Sequence, residues 1–340
     1  MGPTTKDLAR AAGVSLATVD RVLNDRGGVS LKKAQAVAAA IEQIGFERNA
    51  AAAALARQRS LRLGFVIPKT GGAFLDKVLL SIQEYETLGR SEMTILSVIR
   101  IEDKDAHKAA RSIANIDAND FDAIAVMATQ SPPLRDALLR LAARGVHITS
   151  FLTKQELEGD VDFVGIDNRA AGATAGRLMG QFLGRQKGAV LPIAESLQSR
   201  DTLERRLGFD DVIGNKYPHI RPLPTLETYA DPDRARKVIS TALKARPDTS
   251  GIYLLTGEAA GPVSALRELN ALHGNILIAH ERTSVTEDAL RVGELDAVIS
   301  QDPGHLVRSA VRIMRARCEK RRTLASQERI RIEILVAENL

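Results

Sequence analysis

Residues 5–24, TKDLARAAGVSLATVDRVLN, constrain this chain more than any other stretch. They read as two short helices around a tight turn at Gly13, where a residue without Cβ tolerates positive φ. The first helix is expected over about 6–12, with Thr4 or Thr5 as cap and Thr4 and Asp7 at capping-box spacing. Ser15 is the expected cap of a second helix over about 16–25. Ser30 would cap a third over 31–44, which Gly45 stops. Leu8, Ala12, Val14, Val19, Val22 and Leu23, with Val37, Ile41 and Ile44, are spaced to share one small core.

The charge is uneven. The first 62 residues hold ten Lys or Arg and five Asp or Glu, a surplus equal to the +5 of the whole chain. Residues 63–340 are balanced, with 37 of each sign. A compact basic helical unit on a neutral body points to a polyanion, most simply DNA. In a helix-turn-helix the second helix enters the major groove, its first residues nearest the base edges. That singles out Leu16, Ala17 and Arg21. Arginine can bond guanine bidentately, whereas Leu and Ala reach only apolar features such as the thymine methyl. Ser15, Thr18 and Asn24 are placed for phosphates or bases. The competing reading is a helical bundle with a solvated basic face; cap, turn, apolar set and charge surplus together favour DNA. Residues 49–59, NAAAAALARQR, follow. Alanine favours helix, yet so short a helix is marginal alone. The segment is either a helical linker or a hinge that folds on DNA, with Leu55 wedged into the minor groove.

From residue 61 onward short apolar runs alternate with helix-like stretches. Strands are expected over 61–68, 93–101, 121–128, 147–153, 161–166, 188–194, 251–256, 276–280 and 297–301. Helices are expected over 75–88, 106–116 and 134–143, and in most other gaps. This is the pattern of parallel sheets in an α/β fold, and about 280 residues suit two doubly wound lobes. Ligands in such folds bind beyond the carboxyl ends of strands. The strand ends offer Phe74, Asp167-Asn168, Glu258, Glu281 and Gln301. Acids and amides bond hydroxyls and an aromatic ring covers an apolar sugar face, so the set suits a polyhydroxylated ligand. Each polar residue has a rival role as cap of the next helix. The tail 328–335 alternates like an edge strand, 315–322 reads as a solvated face near a turn, and Leu306, Val307, Ala310 and Val311 are core or dimer-interface residues.

Composition narrows the classes. The length suits two or three domains, and with 4% aromatics the cores must come from aliphatic residues. One cysteine, Cys318, permits no internal disulfide and fits a reducing cytoplasm. The chain shows no secretory leader pattern, no run of 18 apolar residues, no zinc spacing, and neither a P-loop nor Gly-x-Gly-x-x-Gly. The expectation is a cytoplasmic protein without cofactor or metal, and not an enzyme. The six histidines are scattered, and His280 beside Glu281 reads as a core or cleft-side histidine rather than a catalytic one.

The head motif, Thr5-x-Asp7-Leu8-Ala9, then Ala12-Gly13-Val14-Ser15-x-x-Thr18-Val19-x-Arg21-Val22-Leu23-Asn24, Val29-Ser30, Gly45-Phe46 and Asn49 through Leu55-Ala56, resembles the lactose-repressor (LacI/GalR) family of bacterial transcription regulators. The resemblance implies an N-terminal all-α helix-turn-helix head (1–48), a hinge (49–60), and a bilobal α/β effector domain like a periplasmic binding protein (61–340). It implies a homodimer on a near-palindromic operator, contacted through Thr5, Ser15, Leu16, Ala17, Thr18, Arg21, Asn24, Asn49 and Leu55. In the body, Phe74 matches the aromatic that packs on sugars and Arg205 the ligand-clamping arginine of Arg-x-x-Gly-Phe. Glu281 and Gln301 stand where an Asp and a Gln or Asn bond hydroxyls, and Asp167-Asn168-Arg169-Ala170-Ala171-Gly172 matches a family turn. The chain departs from the pattern at Asp20, where Ser is usual, and at Thr256-Gly257-Glu258, where an Asn-Asp pair is usual. The expected function is a regulator, most simply a repressor, controlled by a sugar or polyol. A solute-binding sensor that uses only the body, a regulator of non-sugar ligand such as a nucleoside, and an α/β enzyme are the alternatives.

Overall fold

The computed structural model describes residues 3–23, 27–46, 60–89, 93–157 and 161–340. Asn24 and the expected hinge, with Asn49 and Leu55, lie outside the described residues. The chain divides into two compact units, Met1–Ser60 and Leu61–Leu340.

The first unit contains α1 (Thr5–Ala11), α2 (Leu16–Leu23) and α3 (Leu31–Ile44). Thr4 caps α1 reciprocally: its hydroxyl accepts from the Asp7 amide at 3.3 Å, and the Asp7 carboxylate accepts from the Thr4 amide at 2.9 Å. Gly13 turns the chain at φ 62° and Gly45 ends α3 at φ 58°. The Ser15 hydroxyl accepts from the Thr18 amide at 3.2 Å. Ser30 occupies the N-cap position of α3, but its side chain makes no cap bond, so the extended backbone alone starts that helix. Leu8, Val19, Val37, Ala40 and Phe46 are buried together, with Ala12, Val14, Val22, Leu23, Ile41 and Ile44 packed around them.

The second unit opens with β1 (Leu61–Pro68), α4 (Gly72–Gly89), β2 (Thr94–Ile101), α5 (Ala106–Ala114), β3 (Ala123–Val126), α6 (Pro132–Ala143), β4 (His147–Phe151) and β5 (Asp162–Val164). It continues with α7 (Asn168–Leu183), β6 (Gly188–Ala194), α8 (Arg200–Lys216), β7 (Ile220–Pro222), β8 (Leu226–Glu227), α9 (Pro232–Ala245) and β9 (Thr249–Leu254). It ends with α10 (Ala260–Glu268), β10 (Ile276–His280), α11 (Ser284–Arg291), β11 (Ala297–Ser300), α12 (Pro303–Cys318), α13 (Ala325–Glu328) and β12 (Glu333–Leu335). Two sheets result. The first has order β2-β1-β3-β4-β5 and is parallel throughout. The second has order β12-β11-β10-β9-β6-β7 with β8 beside β6, and β12 alone runs antiparallel.

The lobes exchange chain. After β5 the chain enters the second lobe as α7; after β11 it returns as α12, which packs on β3, β4, β5 and α4 of the first. Leu306, Val307, Ala310 and Val311 are fully buried on that helix, so they are core. Arg317 is not simply solvated either: it donates twice to the Asp162 carboxylate, at 2.5 and 2.9 Å. The α7 and α8 helices cross at Gly172 and Gly208. A Cβ on Gly172 would overlap the Arg205 carbonyl oxygen, and one on Gly208 the Arg169 carbonyl oxygen. This close approach fixes where Arg205 stands.

Candidate functional sites

The polar residues at the carboxyl ends of the second sheet converge. Arg205 leaves α8 and is 4% exposed. Its Nε donates to Asn168 Oδ1 at 2.8 Å, Nη1 to the Leu255 carbonyl at 3.0 Å, and Nη2 to Glu281 Oε1 at 3.0 Å. Gln301 Nε2 donates to the same Glu281 oxygen at 3.1 Å. Glu281 and Gln301 are buried, yet Glu281 Oε2 and Gln301 Oε1 have no hydrogen-bond partner. A buried acceptor left unpaired costs roughly 1–3 kcal/mol. Two of them side by side make a surface that rewards a ligand bearing hydroxyl or amide donors.

Glu281 is held by its backbone too. Its φ of 64° places a non-glycine residue in the left-handed region, at a cost of about 1–3 kcal/mol. Its amide donates to the Ile299 carbonyl at 2.8 Å and its carbonyl accepts from Thr286 Oγ1 at 2.9 Å. Burial pushes its carboxyl above the usual value, while Arg205 and Gln301 oppose that rise. Behind the cluster, Tyr253 stacks on Phe209 and its hydroxyl meets His280 Nε2 at 2.7 Å. Burial, then the Arg205 charge, hold His280 well below its ordinary value, so its ring is neutral.

The first lobe closes over this set. Phe74 is buried in the first turn of α4, and a Cβ on Gly257 would lie 3.8 Å from its Cβ. The Glu258 carboxylate lies against Gly72 at the start of the same helix. Ion pairs Lys77–Glu287 at 3.1 Å and Lys104–Glu195 at 3.6 Å, with Arg200–Glu156, bridge the lobes. Of the six expected residues, Phe74, Arg205, Glu258, Glu281 and Gln301 border one region. Asp167 is exposed and its carboxylate accepts from the Ala170 amide at 2.9 Å as the cap of α7. Its neighbour Asn168 is the residue that meets Arg205. The sequence signal for Asn168 is adjacency: where one residue of a strand-end pair caps the helix, the next turns inward.

On the head, Val19 faces the core while Leu16, Ala17, Asp20 and Arg21 share the exposed face of α2. Ser15 and Thr18 pair with one another through their hydroxyls at 2.9 Å. Thr5 is exposed in the first turn of α1.

Residues 4–49 match the family described as bacterial regulatory proteins, lacI family, and residues 63–322 match the periplasmic binding protein domain. The chain carries a head domain of the lacI family joined to a periplasmic binding protein domain. Its body takes the fold of periplasmic binding proteins, as the two sheets and their crossovers already indicate. The chain is 28% identical over 168 residues to the transcriptional regulator RegA of Clostridium saccharobutylicum, covering 49% of this chain and 48% of that protein. It is 40% identical over 81 residues to GalR of Salmonella typhimurium, 24% of each chain. The maltose regulon regulatory protein MalI of Escherichia coli is 29% identical over 169 residues, 49% of this chain and 47% of that one. The matched region therefore spans about half of these relatives or less. Among solved structures, a solute-binding protein of Burkholderia graminis in complex with D-arabinose superposes with TM-score 0.74 at 21% identity, covering 83% of this chain and 96% of that one. GanP, a glucose-galactose binding protein of Geobacillus stearothermophilus, gives 0.72 at 18%, covering 83% and 99%. At these identities the likeness is one of fold. No helix among the described residues is long and apolar enough to cross a membrane.

Proposed function

We propose that this chain is a DNA-binding transcriptional regulator, most simply a repressor, whose operator affinity is set by an uncharged sugar or polyol bound between the two lobes. Its relatives are named as regulators rather than as enzymes, and a cytoplasmic site of action belongs to the same reading. The observation that carries it is the pairing of two features. The head presents Leu16, Ala17 and Arg21 outward at the start of α2. The body holds unpaired acceptors of Glu281 and Gln301 inside a cleft. Arg205 and Glu281 neutralise each other there, which favours a neutral ligand over a carboxylate or phosphate.

In this reading Arg21 reads a base, Leu16 and Ala17 lie on thymine methyls, and Thr5, Ser15, Thr18, Asn24 and Asn49 fix the register on the backbone. Residues 49–60 act as the hinge, with Leu55 in the minor groove. Phe74 covers the sugar face, Arg205, Glu281 and Gln301 bond hydroxyls, Glu258 closes the first lobe on the ligand, and Asp167 acts through Asn168. The ligand works by shifting the population of two lobe arrangements. The active form is a homodimer. The edge strand β2, with exposed Val98 on one face and exposed Ile95 on the other, offers an edge for a second copy, beside exposed Leu80 on α4.

The test is fluorescence anisotropy of the purified full chain on promoter fragments against bulk competitor DNA, with and without D-arabinose, D-allose and D-tagatose. A sequence preference that a sugar changes supports the reading. Equal affinity for all fragments, with or without sugars, overturns it.

A further inference from the structure

Two glutamates of the second lobe reach the same end of one first-lobe helix. Helix α4 starts without a cap from its nearest residues: Gly71 precedes it, and Gly72, Ala73 and Phe74 bring no polar side chain to its first turn. The amides of a first turn lack partners inside the helix and make that end positive. The Glu258 carboxylate lies against Gly72, so closely that a Cβ there would overlap its Oε2. Farther along α4, Lys77 Nζ reaches Glu287 Oε1 of α11 at 3.1 Å.

Ion pairs between lobes have an ordinary reading as surface contacts, worth little once solvent screens them. That reading suits Lys104–Glu195 and Arg200–Glu156, in each of which one partner is more than half exposed. It does not suit Glu287, whose side chain is 16% exposed. From its own lobe, Arg282 Nε donates to Glu287 Oε1 at 2.9 Å and Arg291 Nη2 to Oε2 at 3.2 Å. The carboxylate is therefore oriented before Lys77 meets it, which lowers the ordering cost of the contact. Gly72 makes the matching provision in the first lobe. Its φ of 69° and missing side chain leave the space that the Glu258 carboxylate occupies.

We propose that these two contacts form an electrostatic latch: Glu258 and Glu287 hold the start of α4 and set how much of the population is closed, with or without a ligand. The latch makes lobe closure sensitive to ionic strength, and through closure the operator response as well. The link to the operator rests on the function proposed above; closure itself is measured without sugar or DNA.

The experiment uses the full chain carrying Cys318→Ser, Lys154→Cys and Gln198→Cys, with a spin label on each new thiol. Lys154 and Gln198 are exposed, two residues from Glu156 and Arg200, which meet across the cleft. Double electron–electron resonance reads the distance between the labels. Raising salt from about 0.1 M to about 1 M shortens the screening length from ~10 Å to ~3 Å. Over that range the ratio of short to long distances should fall about fivefold. The Glu258→Gln/Glu287→Gln variant keeps the shape without the charge. At low salt it should already show the distribution that the parent reaches at high salt, with no further response. A parent distribution that salt does not move overturns the proposal. So does a variant, folded by circular dichroism, that follows the parent's salt response. Failure to bind sugar or operator is a separate readout that bears on the proposed function alone.

Discussion

Arg205 Nη2 and Glu281 Oε1 meet at 3.0 Å, with side-chain exposures of 5% and 4%. Such a pair gives little net stability, because desolvation of both charges offsets their attraction, yet removing one partner strands the other. Arg205→Ala is therefore expected to cost about 3–5 kcal/mol in urea unfolding. The double change Arg205→Met with Glu281→Leu should recover most of that loss. Both variants should lose the sugar response. If the double variant is no more stable than the single, the pair is not compensating a buried charge.

Acid sensitivity follows from a different glutamate. Burial raises the Glu287 carboxyl, but hydrogen bonds and charge from Arg282 and Lys77 outweigh it and leave it at about 2. A carboxyl lowered in the folded state contributes stability that is present above its ordinary value of 4.5 and is lost as pH falls toward 2. Glu281 has the opposite sign: its raised carboxyl favours the fold most below the ordinary value, and that contribution is lost as pH rises. Urea midpoints measured across acidic pH should fall less steeply in Glu287→Gln than in the parent chain. Identical slopes would remove Glu287 from the acid transition.

Much of this was legible where the cause is local. The Thr4 and Asp7 spacing, Gly13 and Ser15 each act within one turn, so the sequence pattern was enough to place them. The parallel strands were legible because burial on both faces writes short apolar runs. What failed depends on distant chain. The two short strands at 220–222 and 226–227 carry prolines around them and pair only because β6 is beside them. Ser30 looks like a cap by residue type, but cap bonding is decided by side-chain rotamer. Asp167 and Asn168 could not be told apart until Arg205 arrived from 37 residues away. Leu306 and its neighbours read equally well as core or interface, because their burial depends on which lobe α12 lies against.

The helix crossing beneath Arg205 makes a sharp prediction. Gly172→Ala drives a methyl into the Arg205 carbonyl, and Gly208→Ala drives one into that of Arg169. Backbone cannot rotate away as a side chain can, so each change should cost about 1–3 kcal/mol or more. Because Gly172 touches the Arg205 backbone, its variant should also weaken sugar binding. Gly214, with nothing within 4 Å of a Cβ built there, is the control: Gly214→Ala should leave sugar binding unchanged and raise stability by up to about 1 kcal/mol through helix propensity. Equal tolerance of all three would mean that α7 and α8 are not locked at this crossing.

The exposed apolar residues of the edge strand β2, Ile95 on one face and Val98 on the other, bear on assembly. Ile95 is 52% and Val98 38% exposed on an edge strand, where native chains usually place charge. Val98→Glu should shift sedimentation velocity toward the monomer and weaken operator binding, with sugar affinity preserved. A variant that sediments as the parent does would exclude this surface from the dimer.

The head supplies the most discriminating test, because it separates base reading from charge. Arg21 and Asp20 lie on the same exposed face of α2, beside Leu16 at 48% exposure. If Arg21 bonds a guanine bidentately, Arg21→Ala should cost about 1–3 kcal/mol on the operator and relax preference at one position of each half-site. Affinity for random DNA should fall far less, since that term comes from the phosphate contacts of the whole head. Arg21→Lys keeps the charge but not the planar fork, so it should restore random-DNA binding without restoring the base preference. Anisotropy titrations at several salt concentrations distinguish the outcomes. A loss that is equal on both DNAs and fully repaired by lysine would make Arg21 a phosphate contact rather than a base reader.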